Sequence, residues 1–370
     1  MVKKLQLSVL CGGESTEHEI SIRSAKNIVS ALNMNKYDVT VIYITPQGEW
    51  LLLNSVPDFL SKGPEVLWKA GQGEPITVVL GDHVKPWQSL VHPDRHYSTE
   101  CVFPVLHGTH GEDGTLQGLL DLLHVPYVSA GVQSSAMCMQ KEVTKQMLRF
   151  AGIAVPDWYV IHTGDVLTGL YEKLSAQYGK ELFVKPASLG SSVATIGIKD
   201  KTQFNTAVQN ALRYDERVLV EPRIIGREIE CAVLGNNEPK ASLPGEIVVQ
   251  HDYYSYEAKY IDPTGANIII PASFPEPIIQ EIQAIAIKAF TVMYCTGMAR
   301  VDFFVVNDEK ILVNELNTIP GFTNISMYPK MWEASGLSYT HLLDELITLA
   351  LDRHRFRQSL TRIYHHRGPQ

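Results

Sequence analysis

Arg300-Val301-Asp302-Phe303-Phe304 and, a few residues on, Ile311-Leu312-Val313-Asn314-Glu315-Leu316-Asn317 alternate polar with apolar residues. A period of two marks a half-buried strand, so Arg300 and Asp302 share a face, and so do Glu315 and Asn317. The intervening Asn307-Asp308-Glu309-Lys310 suits a hairpin turn. Closing that hairpin gathers Asp302, Glu315 and Asn317 as hard oxygen ligands beside Arg300. Such a set matches Mg²⁺, which one or two carboxylates hold together with substrate phosphates. The stretch therefore asks for a nucleotide, although alone it serves equally well as a charged, solvated hairpin face.

Upstream residues offer the nucleotide a place. Leu182-Phe183-Val184 reads as a strand ending at Lys185-Pro186, followed by Ala187-Ser188-Leu189-Gly190-Ser191-Ser192-Val193. An ammonium before a small-residue loop grips phosphate, because the loop's amides approach closely when no bulky side chain intervenes. The chain has no G-x-x-x-x-G-K-[ST] loop, and Cys11-Gly12-Gly13-Glu14-Ser15 lacks the dinucleotide spacing. Val218-Leu219-Val220-Glu221-Pro222 and Gly226-Arg227-Glu228-Ile229-Glu230-Cys231 read as further strands. In a nucleotide cleft Glu221 could accept from an adenine amino group and Glu228 from ribose hydroxyls; each is equally readable as a surface charge.

The order Lys141, Lys185 with its loop, Glu221, Glu228, Lys259, Arg300-x-Asp302, Glu315-x-Asn317 resembles the ATP-grasp superfamily, and within it the D-alanine–D-alanine ligases. The resemblance spans about residues 4 to 350. Its most specific stretches are Gly12-Gly13-x-Ser15-x-Glu17-His18-Glu19-Ile20-Ser21, Leu106 to Gly118 (LHGTHGEDGTLQG), Tyr256-Glu257-Ala258-Lys259-Tyr260 and Asn317-Thr318-Ile319-Pro320-Gly321-Phe322-Thr323.

That resemblance implies an N-terminal doubly wound parallel-sheet domain followed by a two-lobed ATP-grasp α+β module. The divisions fall at 1–140, 141–228 and 229–352, with a basic tail over 353–370. It implies ATP-dependent joining of two D-alanines through an acyl phosphate, for peptidoglycan synthesis. Lys141, Lys185, Ser191, Ser192, Glu221, Pro222, Ile224, Glu228, Lys259, Asn314 and Glu315 then fall to ATP. Two Mg²⁺ ions, or Mn²⁺ in their place, fall to Asp302, Glu315 and Asn317. Glu17 and His107 fall to the first D-alanine, Ser326 and Lys259 to the carboxylate of the second, and Arg300 and the Gly321 N–H to the reacting centre. Glu17, Ser191 and Tyr260 would then form a network that closes a lid, Tyr253–Pro263, over the site. The catalytic set is thus Glu17, Ser191, Tyr260, Arg300, Gly321 and Ser326. His18 and His110 match the motifs without a catalytic role.

Two positions depart from the family: Pro222 keeps a carbonyl but has no N–H to donate, and Ala194 stands where glycine is common. The rival readings are a D-alanine–D-lactate ligase, against which Glu257-Ala258-Lys259-Tyr260 argues, and a non-catalytic ATP-binding protein of the same fold.

Composition agrees. The chain has 370 residues, 45% apolar and 19% charged, enough for two or three domains. A net charge of −8 disfavours nucleic acid and anionic membranes as partners. Five scattered cysteines without a C-x-x-C pair suit a reducing cytoplasm. The run Leu5–Leu10 is too short for a signal peptide and reads as a first strand, and no segment is long enough to span a bilayer. The partners implied are small molecules and a second copy in a homodimer.

Short apolar strands are expected at 5–10, 38–45, 101–106 and 125–129, with helices over 21–33, 141–151, 276–296 and 338–352. Gly-, Pro- and Trp-rich residues 46–100 read as a peripheral excursion, and the chain from Arg353 as a solvated end.

Overall fold

The computed structural model describes residues 3–63, 65, 72–190, 193–249 and 266–362. The first part of the chain runs β1 (Leu5–Gly12), α1 (His18–Ala31), β2 (Tyr37–Ile44), β3 (Trp50–Leu53), α2 (Val56–Ser61), β4 (Gly73–Val78), β5 (Trp87–Ser89), β6 (His96–Tyr97), β7 (Cys101–Pro104), α3 (Thr115–Leu122) and α4 (Val132–Met139). Seven strands form one sheet in the order β6-β5-β4-β3-β2-β1-β7. β1 lies parallel to β2 and β7, and Tyr127 bridges in parallel to Val102. This is the doubly wound core that the strand–helix alternation predicts. α1 covers one face, burying Ile22, Ala25, Ile28 and Val29 at the spacing of one helical stripe. Residues 46–100 are more than an excursion: β3 to β6 add antiparallel hairpins to the edge at β2.

The second part runs α5 (Lys141–Phe150), β8 (Tyr159–His162), α6 (Leu170–Tyr178), β9 (Leu182–Pro186), β10 (Ile196–Ile198), α7 (Lys201–Ala211) and β11 (Arg217–Pro222). Its antiparallel sheet has the order β10-β9-β11-β8. α6 and α7 pack on it through Leu174, Phe204, Ala207 and Val208.

The third part runs β12 (Arg227–Gly235), β13 (Lys240–Ala241), β14 (Gly245–Val249), β15 (Ala266–Ile269), α8 (Glu276–Val292), β16 (Gly297–Val306), β17 (Lys310–Asn317), α9 (Met327–Ala334) and α10 (Tyr339–Ser359). Its sheet has the order β15-β14-β12-β16-β17, with β13 paired to β12. α8 buries Ile282, Ala286, Ala289 and Phe290 against it. α9 and α10 join this part to the first, since Phe322, Tyr328, Trp332 and Leu342 share one core with Leu7, Val9 and Ile28.

The chain does not fray at Arg353. α10 continues to Ser359, and the buried Arg353 donates to Ser129 O, to Tyr127 O at 2.6 Å and to Thr296 Oγ1 at 2.9 Å. Among the described residues no helix is long and apolar enough to cross a membrane.

Candidate active site

The second and third sheets face each other across a cleft of about 450 Å³. Phe183 and Lys185 on β9 and Glu221 and Pro222 on β11 line one side. Glu228 and Glu230 on β12, Asp302 on β16, and Asn314 and Glu315 on β17 line the other, with Lys141, Ile224 and Gly190 at the margins.

On the first side three charges are packed together. Antiparallel pairing sets Leu219 opposite Lys185, which makes Lys185 and Glu221 diagonal neighbours. Lys185 Nζ is 2.9 Å from Glu221 Oε2 and 3.5 Å from Asn314 Oδ1. Lys145, four residues after Lys141 on α5, lies 3.2 Å from Glu221 Oε1. Burial pushes the Glu221 carboxyl up, but Lys145 and then Lys185 outweigh it and hold it below its ordinary value. A carboxylate this buried needs counter-charges, and the two ammonium groups supply them.

On the other side the hairpin forms as its periodicity predicts. Asn307 and Asp308 take φ of 53° and 56°, the positive values a tight hairpin turn needs at both central residues. Asp302 pairs with Glu315 and Arg300 with Asn317, as hard-ligand clustering requires. A bulge then intervenes, because Phe303 pairs with Val313 and leaves Asn314 unmatched. Strict alternation would turn Asn314 away; the bulge lets it face the cleft together with Glu315.

Arg300 Nε and Nη2 each donate to Asp302 at 2.7 Å, and Glu230 lies 3.0 Å away. Burial works against the Arg300 charge, but Asp302 and Glu230 overcome it and hold its pKa well above the usual value, so the guanidinium is a fixed cation. Asn317 Nδ2 donates to Asp302 at 3.0 Å, and Lys141 Nζ stands 3.5 Å from Glu315 Oε2. Among the described residues no group of three or more His, Cys, Asp and Glu side chains is placed to hold a metal. The expected set supplies two opposed carboxylates and an amide, which fits an ion that takes its remaining ligands from phosphates and water.

A second group of side chains gathers where the first sheet meets the third. Glu17 precedes α1 and is buried. A Cβ at Gly108 would come within 3.0 Å of Glu17 Oε2, and one at Gly190 within 3.3 Å, so the loop before Ser191 reaches Glu17. His107 is buried, with Nδ1 3.0 Å from Ile319 O and Nε2 3.3 Å from Ser24 Oγ; burial lowers its pKa. Ser326 precedes α9, and its Oγ accepts from Thr323 N at 2.9 Å. A Cβ at residue 321 would come 2.7 Å from that Oγ, so any side chain there would push the Ser326 hydroxyl aside.

Three contributors escape the sequence. Lys145 had a faint signal, its i+4 spacing from Lys141. Glu230 shares a strand face with Glu228. Glu112 lies inside the Leu106–Gly118 stretch without any mark of its own. It is half-buried and accepts from Gly108 N at 2.8 Å and Ile319 N at 3.2 Å, and desolvation, with Glu17 nearby, raises its pKa to about 8. Ser191, Ser192, Lys259, Tyr260 and the Tyr253–Pro263 segment lie outside the described residues.

Two antiparallel α+β lobes clasping a lysine- and carboxylate-lined cleft define an ATP-grasp fold, here preceded by a doubly wound domain. The D-ala D-ala ligase N-terminus family matches residues 6–130, and the D-ala D-ala ligase C-terminus family matches residues 147–348. The chain belongs to the D-alanine–D-alanine ligase family. It is 59% identical over 365 residues to a D-alanine–D-alanine ligase of Coxiella burnetii, covering 98% of each chain. The solved structure of the Coxiella burnetii ligase superposes with a TM-score of 0.88 over 96% of this chain and 97% of that one, at 55% identity. The VanG D-Ala:D-Ser ligase of Enterococcus faecalis gives 0.84 at 34% identity, over 94% of this chain and all 100% of that one. The Bacillus anthracis D-alanine–D-alanine ligase complexed with ATP gives 0.70 at 26%, over 95% and 99%.

Proposed function

We infer that this protein joins two D-alanines into D-alanyl-D-alanine at the expense of ATP, releasing ADP and phosphate, as a step of peptidoglycan synthesis. The observation that carries the reading is the rigid Arg300, bonded to Asp302 and Glu230, between the charged cleft and the Glu17–Gly321 cluster. A phosphoryl donor in the cleft and an amino acid at that cluster would meet there.

The reaction takes two steps. A carboxylate oxygen of the first D-alanine attacks the γ-phosphorus, the bond to the β-phosphate oxygen breaks, and ADP leaves. The neutral amine of the second D-alanine attacks the acyl carbon, phosphate departs with the acyl C–O bonding pair, and the surplus N–H proton leaves with the phosphate or to water. Glu17 would hold the first ammonium, with His107 beside it. Arg300 and the Gly321 N–H would meet the charge that develops on the acyl oxygen. Ser326 and Lys259 would hold the second carboxylate. Ser191 and Tyr260 would tie the Tyr253–Pro263 lid to Glu17 and keep water from the acyl phosphate. Lys141 and Lys185 would hold phosphates, with Ser192 and Asn314 beside them. The backbone of Glu221, Pro222 and Ile224 would meet adenine, and Glu228 the ribose.

Asp302, Glu315 and Asn317 would hold Mg²⁺ or Mn²⁺, which neutralises charge on the transferred phosphates. The divisions at 140 and 228 are supported by one sheet falling in each part, with β12 starting just ahead of the second boundary. The same reading makes the protein a cytoplasmic homodimer.

The test is phosphate release from ATP with D-alanine, L-alanine, D-serine or D-lactate added. D-alanine alone should support full turnover, and a chelator should stop it. Full-rate release without any D-amino acid would defeat the proposal.

A further inference from the structure

We propose that Lys145 is a positioning residue for the nucleotide: its buried ammonium shares the charge of Glu221, so that Lys185 stays available to an anion in the cleft. The proposal rests on the ATP reading above and extends it to a residue outside the cleft wall.

The geometry is specific. Lys185 borders the cleft, whereas Lys145 is fully buried behind Glu221 and is absent from the lining. Among the described residues, Lys145 Nζ has only Pro156 O, at 3.5 Å, as a neutral acceptor, and the Trp158 ring lies 6.0 Å away. A buried lysine in such surroundings is costly unless its charge is used.

Consider the cluster without it. Glu221 would then have Lys185 as its one close cation, at 2.9 Å. That pair is neutral, and a phosphate drawn to Lys185 would meet the carboxylate directly behind. With Lys145 in place, two cations face one anion and the cluster carries a net +1 toward the cleft. These groups are buried, so the difference is screened less than at the surface.

The shielding charge is also titratable. Burial lowers the Lys145 pKa to about 8, against the opposing pull of Glu221. The charged groups that bear on it are Glu221 on β11, Lys185 on β9 and Glu315 on β17. Arg149, one turn on along α5, is stacked on the far side at Trp158.

The experiment is calorimetric binding of ADP with Mg²⁺ to the full chain, from about pH 7.5 to about 9.5, above the phosphate's own titration near 6. Wild-type affinity should fall as pH rises through about 8, while Lys145→Arg, which stays charged, should be flat over that range. Lys145→Met should weaken ADP by roughly 10-fold at the low end, within the span of couplings seen for contacting charges.

The double variant Lys145→Met/Glu221→Gln should recover to within roughly 3-fold of Glu221→Gln alone, because no carboxylate is left to shield. Wild-type ADP affinity in Lys145→Met, or a double variant no tighter than Lys145→Met, would overturn the proposal. Parallel pH profiles for wild type and Lys145→Arg would do so even if Lys145→Met fails to fold. Wild-type protein that binds no ADP at any pH would instead defeat the nucleotide reading itself.

Discussion

Among single residues, Glu315 carries the sharpest expectation. It pairs across the hairpin with Asp302 and stands 3.5 Å from Lys141, in the part of the cleft assigned above to metal and phosphate. Glu315→Gln keeps the shape and removes the charge. Turnover should fall by about 10²-fold or more, as for other groups that act on charge in a transition state, with the unfolding midpoint little changed. A variant with near-normal turnover would show that the Glu315 charge does not hold the metal. Glu315, Asp302 and Arg300 were legible because strand geometry converts sequence parity into a face. Lys145 and Glu112 were not, since parity and helical spacing tell which way a side chain points but not what distant segment it meets. The same limit hid the ion pairs of Glu221: a strand-end carboxylate gives no sign of the two lysines that folding brings against it.

Among elements, the decisive joint is the one between the His107–Gly108 loop and the Ile319–Gly321 loop. Glu112 bridges them by accepting from Gly108 N and Ile319 N, and nothing local in the sequence announces that bridge. Its pKa is raised to about 8 from an ordinary 4.5, chiefly by burial. Between those values the folded chain keeps a proton that the unfolded chain has released, so this group's contribution to stability falls as pH rises from about 4.5 to about 8. Glu112→Gln cannot ionise and should lose that part of the slope, while one amide without its acceptor costs about 1–3 kcal/mol. Urea midpoints for both proteins across this window decide the matter, and parallel pH profiles would refute the assignment. The bulge at Asn314 was equally hidden. Register depends on the partner strand, and alternation read from one strand alone assigns Asn314 to the wrong face.

At the scale of the whole molecule, the three sheets were largely foreseeable from apolar runs and turn residues, but their mutual fixation was not. The basic stretch after residue 352 looks solvated because it is rich in Arg and His and contains no acid of its own. Folding supplies carbonyls instead. Arg353 on α10 donates to Tyr127 O and Ser129 O at the edge of the first sheet and to Thr296 Oγ1 just before β16, the strand that carries Arg300 and Asp302. Its guanidinium also lies 4.5 Å over the Tyr127 ring. One side chain thus ties the first sheet to the strand that carries Arg300 and Asp302, and the planar fork lets it reach three acceptors at once. Arg353→Met strands two buried carbonyls whose bonds to a charged donor contribute about 1.5–3 kcal/mol each. The expected loss is therefore on the order of 3 kcal/mol or more, with Arg353→Lys intermediate because a single ammonium cannot span all three acceptors. Denaturant unfolding of the three proteins measures it. The remaining turnover at low temperature should be close to normal, since no substrate contact is removed. A loss below about 0.5 kcal/mol, the range of ordinary surface substitutions, would show that α10 is held by its apolar face alone and that the domains are joined without this clamp.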